Sequence, residues 1–286
     1  QQFRISFHFH STFQRVPEKG EPLMAERWER LLSIATSVNI SVMLSMPSRR
    51  LPSCLRQASS AATSRDPSSR YSFNPATERE KGQIMDFAMD GFVRVEPHAK
   101  ALNLTKEKGG TIIDYIVSKA LHYPYSMTIH EKASGKMVGF RLMSVSYRDH
   151  TKDFEPFELD MDKQPENVQI LCKMLDTLKG KIWELRPEAN KILRREITYV
   201  DPAHQRQGIA QYLLHLNVDF DQLRANSVDG IQSEASSHAN QTLLKKNGYK
   251  ELLQNERTLY KWSDGRPITL PDETKCIKLY YYNLRK

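Results

Sequence analysis

Alternating apolar and polar positions predict strands at many points after residue 70. The eight segments with this pattern are residues 71–73, 126–131, 137–143, 196–199, 230–235, 249–253, 258–262 and 276–282. Ser134 and Gly135 lie between the second and third of these segments, and a glycine at this place predicts a hairpin.

Helices are predicted where apolar residues recur every three or four positions. This pattern covers residues 84–92, 112–121, 171–182, 209–223 and 237–246. The first of these helices must end before Pro97, because the residue before a proline avoids the helical region. Strands that alternate with helices indicate an α/β domain built on a mixed sheet. We expect this domain to occupy residues 71–286.

The segment before the domain has a different composition. Residues 41–70 hold nine serines and five arginines against one acid, Asp66. Such a segment buries little apolar surface, so residues 1–70 are predicted to be a poorly ordered extension. An arginine- and serine-rich start at Met43 or Met46 would resemble a mitochondrial transit peptide. Acidic residues lie upstream, however, and a cytoplasmic location is favoured over a mitochondrial one.

Composition excludes several classes of protein. The three cysteines are too few and too scattered for a disulfide framework or a metal site. The sequence contains no run of 18 apolar residues, so no membrane span is predicted. The net charge of +8 comes from basic residues interleaved with acidic ones, without a nucleic-acid-binding module. We therefore expect a monomer that uses neither metal nor membrane nor nucleic acid, with a small molecule as its partner.

The most informative segment joins a strand, a glycine loop and a helix start at residues 199–210. Gly208 has no Cβ, so the loop backbone can approach a ligand closely. Successive N–H groups at such a junction form a cradle for a pyrophosphate. The alternative is that Asp201 and Pro202 form an ordinary turn in a loop without a ligand.

This segment, V-x-P-x-x-Q-x-x-G-I-A, resembles the acetyl-CoA signature of the GCN5-related N-acetyltransferase (GNAT) superfamily. The resemblance implies a mostly antiparallel central sheet, flanked by helices, whose strands splay apart at the cofactor site. It also implies that acetyl-CoA is the cosubstrate. The residues that would hold it are Tyr199 and Val200 along the pantetheine arm, and Gln205, Arg206, Gln207, Gly208, Ile209 and Ala210 at the pyrophosphate. For Arg206, an exposed side chain without a phosphate contact is the alternative.

Two further motifs extend the resemblance. One is E-P-x-x-x-x-L-x-L, which begins at Glu96, and the other is S-S-H, which begins at Ser236. Together they resemble the invertebrate arylalkylamine N-acetyltransferases, a branch that acetylates dopamine and serotonin. The resemblance implies that Glu96 is the catalytic base, acting directly or through water. The alternative is a surface carboxylate at a helix C-terminus.

The S-S-H motif departs from the family pattern in part. The resemblance implies that Ser236 relays a proton near the cofactor thiol; an N-cap role is the alternative and is compatible with it. Asn240 stands where the branch has a second serine, and it could instead donate a hydrogen bond to CoA. Leu244 replaces the tyrosine that protonates the thiolate in many GNAT enzymes. For His238, a surface or capping role is favoured over catalysis.

The sequence thus predicts direct acetyl transfer from acetyl-CoA to a primary amine, with an arylalkylamine such as dopamine, serotonin, tyramine or octopamine as acceptor. A polyamine, an amino sugar or a protein amine is the alternative acceptor. A third possibility is a non-catalytic CoA-binding module. Cys172 and Cys276 lie outside the motifs, so no covalent acetyl-enzyme is expected.

Overall fold

The computed structural model describes residues 66–285, so most of the predicted N-terminal extension lies outside the described residues. Seven strands are present in this part: β1 Tyr71–Pro75, β2 Met127–Glu131, β3 Met137–Tyr147, β4 Lys191–Val200, β5 Gly230–Ala235, β6 Lys250–Gln254 and β7 Lys278–Asn283. The α-helices of four residues or more are α1 Lys81–Phe87, α2 Pro97–Ala101, α3 Lys106–Leu121, α4 Glu166–Lys179, α5 Ile182–Leu185, α6 Ile209–Leu213, α7 Phe220–Ala225 and α8 His238–Lys246. Among the described helices, none has the length and apolar character that crossing a membrane would require.

The strands form one sheet in the order β1-β2-β3-β4-β5-β7-β6. Every neighbouring pair is antiparallel except β4 and β5, which run parallel. These two pair only through residues 192–195 of β4 and 230–233 of β5. The rest of β4, residues 196–200, therefore separates from β5 and leaves a fork in the sheet. The predicted mixed, mostly antiparallel sheet with splayed strands is confirmed.

Helices cover both faces of the sheet. Apolar side chains of α3 and α4 pack with Phe140, Leu142 and Ile197 on one face. Side chains of α8 and of the segment around α7 pack with Met143 and Leu193 on the other. Central strands buried on both faces lose the alternation of half-exposed strands, which is why β3 is buried from residue 137 to 146. Each large apolar side chain buried in this way contributes about 1.5–3 kcal/mol.

The prediction of one helix over residues 209–223 is wrong, because the helix stops after α6. The guanidinium of Arg141 donates to the Leu213 carbonyl, and that of Arg195 donates to the Leu214 carbonyl. These carbonyls are thereby satisfied without a further helical turn. Asn217 then adopts a left-handed conformation with φ of 55°, and α7 begins three residues later.

The prediction of a strand over residues 258–262 is also wrong. The chain forms a 3₁₀ turn there, followed by a single bridge between Lys261 and Pro267. The bridge is flanked by two hydrogen bonds, from the Ile268 N–H to the Tyr260 carbonyl and from the Trp262 N–H to the Arg266 carbonyl, next to a tight turn in which Gly265 donates to Trp262. The prediction for residues 230–235 matches β5 at both ends, whereas α3 begins six residues before the predicted start.

Candidate active site

The glycine loop that follows β4 has an unusual backbone. Gly208 lies in the left-handed region with φ of 78°, and Arg206 has φ of 59°. The N–H groups of Arg206, Gln207 and Gly208 donate to no acceptor among residues 66–285. These residues are also exposed. A run of free N–H groups before a helix start is the arrangement that binds a pyrophosphate.

The side chains around this loop hold its shape. Gln205 donates from Nε2 to the Val200 carbonyl at 2.9 Å, and Ile209 is buried under the loop. Tyr71 Oη and His204 Nδ1 lie 3.1 Å apart. The side chains of Gln205 and Ile209 are therefore occupied within the protein, so their contribution to a ligand would come from the backbone. Arg206 and Gln207 keep exposed side chains, and Ala210 is partly buried.

Tyr199 connects the cofactor strand to the end of the first helical segment. After α1 the chain continues through a π-helical turn at Ala88–Phe92, a feature that the periodicity did not predict and that often marks functional sites. Gly91 approaches the Tyr199 ring so closely that a Cβ would lie 2.7 Å from it. Phe92 and Tyr199 have ring centroids 6.1 Å apart. Burial raises the pKa of Tyr199 to about 12, so its hydroxyl stays protonated.

Glu96 follows this segment and caps α2. Its Oε2 accepts a hydrogen bond from the Ala99 N–H at 2.6 Å, and its own N–H donates to the Phe92 carbonyl at 2.8 Å. Only 7% of the residue is exposed. The alternative of a surface carboxylate is therefore wrong, because Glu96 is buried. It does follow the C-terminus of a short helical turn at Val93–Val95, but its carboxylate caps the favourable N-terminal end of α2.

Two residues near Glu96 were missed by sequence reasoning. His98 Nδ1 lies 3.2 Å from Glu96 Oε1, and His98 Nε2 lies 3.2 Å from Tyr260 Oη. His98 follows the E-P motif by one position, so its nearness to Glu96 could have been found. Tyr260 is 162 residues from His98 in sequence, and only the fold brings them together.

The S-S-H motif lies at the end of β5, on the other side of the fork. Ser237, not Ser236, is the N-cap of α8, because its Oγ accepts from the Asn240 N–H at 3.3 Å. The alternative role of Ser236 as the cap is therefore wrong. Ser236 is partly buried, and its hydroxyl has no hydrogen bond within residues 66–285. His238 is exposed and pairs with Glu273 at 2.8 Å, and Leu244 is buried in the core.

Charged side chains meet where β4 and β5 separate. Arg194 Nη2 lies 3.5 Å from Glu234 Oε2 across the two strands, and Glu196 accepts from the Ser144 hydroxyl at 2.6 Å. Burial alone would raise the pKa of Glu196, but Arg194 and Lys179 outweigh it and lower the pKa to about 2. This network lies at the base of the fork and holds the last paired residues of the two strands.

The two thiols within residues 66–285, Cys172 and Cys276, offer no nucleophile at this site. Burial raises the pKa of Cys172 to about 12, so its reactive thiolate form is scarce near neutral pH. Cys276 is buried beside Tyr260 in a separate apolar cluster. Transfer through an acetylated cysteine has no support in this arrangement.

Several solved structures have a fold similar to that of this chain. Arylalkylamine N-acetyltransferase 2 from Aedes aegypti matches 75% of this chain and 99% of its own with a TM-score of 0.62 and 18% identity. This is the GNAT acetyltransferase fold. A polyamine N-acetyltransferase of Drosophila melanogaster that forms N-acetylagmatine shares it, with a TM-score of 0.60 and 12% identity over 74% of this chain and 99% of that one. The C-terminal condensation domain of Ebony, solved with β-alanyl-dopamine, matches with a TM-score of 0.56 and 16% identity over 75% and 99%.

No family model matches the sequence, and no curated protein does. The GNAT fold is therefore shown by the tertiary structure. Two of these structural neighbours are N-acetyltransferases named for different amines, and the third is a condensation domain. Because the two N-acetyltransferases differ in the amine that they are named for, the fold alone does not identify the acceptor of this chain.

Proposed function

We propose that this protein transfers an acetyl group from acetyl-CoA to the primary amine of an arylalkylamine. The observation that carries the proposal is the buried carboxylate of Glu96, held beside the strand that would bind the cofactor. The backbone N–H of Glu96 donates to the Phe92 carbonyl, and the Phe92 ring packs on Tyr199 of that strand. Phe92 thus connects the segment that carries the proposed base to the strand that carries the proposed thioester site.

The residues of the glycine loop fit the phosphates of acetyl-CoA. Free N–H groups at residues 206–208 face solvent around a left-handed glycine. The fork between β4 and β5 leaves residues 196–200 without a strand partner on their β5 side, where a pantetheine arm could lie, although the Val200 carbonyl there already accepts from Gln205. When bound, acetyl-CoA supplies an activated thioester carbonyl. Tyr199 and Val200 would orient it, and Asn240 would add a contact from α8.

Glu96 takes up the proton that the acceptor must lose before it attacks, directly or through water. Ser236 is the group that we assign to proton transfer at the departing sulfur, because its hydroxyl is unpaired within the described residues and lies at the end of β5. Direct attack fits the buried state of Cys172 and Cys276.

Aromatic rings beside the base favour an arylalkylamine acceptor. Phe87, Phe92 and Phe140 surround Tyr199 with ring centroids 5.4 to 6.1 Å away. Phe92 is partly exposed at the end of this cluster, four residues before Glu96 along the chain. Phe140 and Tyr199 are buried, so Phe87 and Phe92 are the rings of this cluster that an aryl group would meet, whereas a polyamine would need carboxylates in the same place. A monomer in a reducing compartment such as the cytoplasm completes the proposal.

The test measures CoA release by the purified protein with acetyl-CoA and a panel of amines. The panel holds dopamine, serotonin, tyramine, octopamine, agmatine, spermidine, glucosamine and a lysine peptide. Turnover of the arylalkylamines above the others supports the proposal. Preference for agmatine or spermidine would move the acceptor to a polyamine. Binding of acetyl-CoA without turnover of any amine would indicate a non-catalytic module.

A further inference from the structure

A buried chain of hydrogen-bonding groups leads from Glu96 through His98 and Tyr260 to Asn255. Glu96 Oε1 and His98 Nδ1 lie 3.2 Å apart, and His98 Nε2 and Tyr260 Oη lie 3.2 Å apart. His98 is completely buried. A buried imidazole between a carboxylate and a phenol must place its protons to suit both neighbours.

The far end of the chain determines where the phenol proton lies. Asn255 donates from Nδ2 to the Met174 carbonyl at 3.1 Å, which turns its Oδ1 toward Tyr260. This Oδ1 and Tyr260 Oη lie 2.8 Å apart, so the single phenol proton must lie between them. Tyr260 Oη also accepts from the Ile277 N–H at 2.9 Å. Burial raises the pKa of Tyr260 to about 12, so the phenol does not ionise near neutral pH.

Tyr260 can therefore only accept from His98. The proton of a neutral His98 must then be on Nε2, and Nδ1 presents a lone pair to Glu96 Oε1. Two lone pairs at this distance repel each other. One added proton removes the repulsion, either as an imidazolium that donates to the carboxylate or as a carboxylic acid that donates to the imidazole.

We propose that Glu96 and His98 act as one proton-sharing pair, with His98 and Tyr260 as positioning residues that set its tautomer. The inference rests on the proposed function and deepens it. The N–H bond of the acceptor ammonium breaks, and its proton goes to the pair, between Oε1 and Nδ1. The freed nitrogen lone pair forms the bond to the acetyl carbon.

The second amine proton leaves as the C–S bond breaks, and it ends on the thiol sulfur. The pair then releases its proton to water, so one proton is released for each acetyl group transferred. In this geometry the proton acceptor is the pair of Oε1 and Nδ1, and not the carboxylate alone. The titratable groups that face His98 are the Glu96 carboxylate and the Tyr260 phenol. The Cys276 thiol and the Glu96 carboxylate act on Tyr260 in turn.

The Tyr260→Phe variant tests the proposal because it removes the acceptor for Nε2–H without touching Glu96. His98 can then carry its proton on Nδ1 and donate to Glu96, and the need for a shared proton disappears. We expect kcat to fall about tenfold, and the rising limb of the kcat/KM profile to move about one pH unit lower. The Kd for acetyl-CoA should stay within about twofold of the wild-type value. His98→Asn, whose amide can donate to Glu96 but cannot share a proton, should shift the profile in the same direction.

Tyr280→Phe is the matched control, because it removes another buried tyrosine hydroxyl, one that contacts Glu251 at 3.2 Å. Its pH profile should equal that of the wild type. Unchanged profiles in Tyr260→Phe and His98→Asn, with turnover still dependent on Glu96, would overturn the pair and leave the proposed function standing.

A second measurement does not depend on turnover. The ¹⁵N resonances of the His98 imidazole report its tautomer in the resting protein. A proton on Nε2 in the wild type that moves to Nδ1 in Tyr260→Phe supports the pair. A wild-type His98 that is neutral with its proton on Nδ1 would overturn it, whichever amine the protein acetylates.

Discussion

Arg194 of β4 and Glu234 of β5 form an ion pair, with 3.5 Å between Nη2 and Oε2, at the point where the two parallel strands separate. Both side chains are largely buried. The last backbone pair between these strands joins Arg195 to Ser233. The ion pair therefore connects the strands beside the last ladder position and stabilises the base of the fork that we assign to the cofactor.

Replacing Glu234 with glutamine should destabilise the domain, because it removes one of the carboxylates that compensate the buried Arg194 charge and leaves Glu196, Asp153 and Asp176 to do so. We expect a loss of about 2 kcal/mol in the free energy of unfolding, measured by urea denaturation. Glu251→Gln is the control, since it breaks the more exposed pair with Lys278 and should cost less than about 1 kcal/mol. Equal losses in both variants would show that the fork pair has no special role.

The acid sensitivity of the fold should depend on Glu196. Its pKa of about 2 in the folded protein lies below the ordinary value of 4.5, so the unfolded chain binds the proton first as the pH falls. The stabilisation is complete above pH 4.5 and is lost between pH 4.5 and 2. Glu196→Gln should therefore cost about 3 kcal/mol at pH 7, and this difference from the wild type should shrink below pH 4.5. A difference that does not change down to pH 3 would contradict the assignment.

Glu96→Gln should remove the base and keep the fold. The glutamine oxygen can still accept from the Ala99 N–H, so α2 keeps its cap. We expect kcat to fall at least about a hundredfold, while the Kd for acetyl-CoA changes little. Glu80→Gln alters another carboxylate that caps a helix, through its bonds to Thr77, and should leave kcat unchanged. Loss of acetyl-CoA binding in Glu96→Gln would instead make Glu96 a structural residue.

Gly208→Val should weaken acetyl-CoA binding, because valine is strained at a φ of 78° and its branched side chain would distort the cradle. Gly265 has a similar φ of 84° and open space around it. Gly265→Val therefore carries the same backbone strain far from the loop in sequence. Calorimetry should show at least about a tenfold rise in the Kd of Gly208→Val, and little change for Gly265→Val. Equal affinities would exclude the loop as the phosphate site.

Alanine variants of Ser236 and Ser237 should affect different properties, namely turnover for Ser236 and stability for Ser237. Ser237→Ala removes the cap of α8 and should lower the unfolding free energy by about 1 kcal/mol. Ser236→Ala removes a hydroxyl without a partner in the described residues, so stability should hold while kcat falls about tenfold or more. Full activity in Ser236→Ala would leave protonation of the thiolate to water.

The sequence determined the features that neighbouring residues encode together. Strand and helix periodicity predicted the mixed sheet and the limits of β5, and Gly208 was placed at the left-handed position that its missing side chain allows. The strand–glycine–helix pattern also pointed to the loop at Gly208, whereas the roles of the other loop residues and of Glu96 came from the resemblance of their motifs to the GNAT superfamily. Such features depend on local backbone geometry, which a short segment carries within itself.

Only the tertiary structure decided what distant residues do to one another. The helix over residues 209–223 ends early because Arg141 and Arg195, on two strands of the sheet, bind its last carbonyls. Glu96 is buried and capping because of how α2 packs, and His98 meets Tyr260 across 162 residues. Local patterns do not specify which far side chain fills a given space. That choice is made by packing and by the need of every buried polar group for a partner.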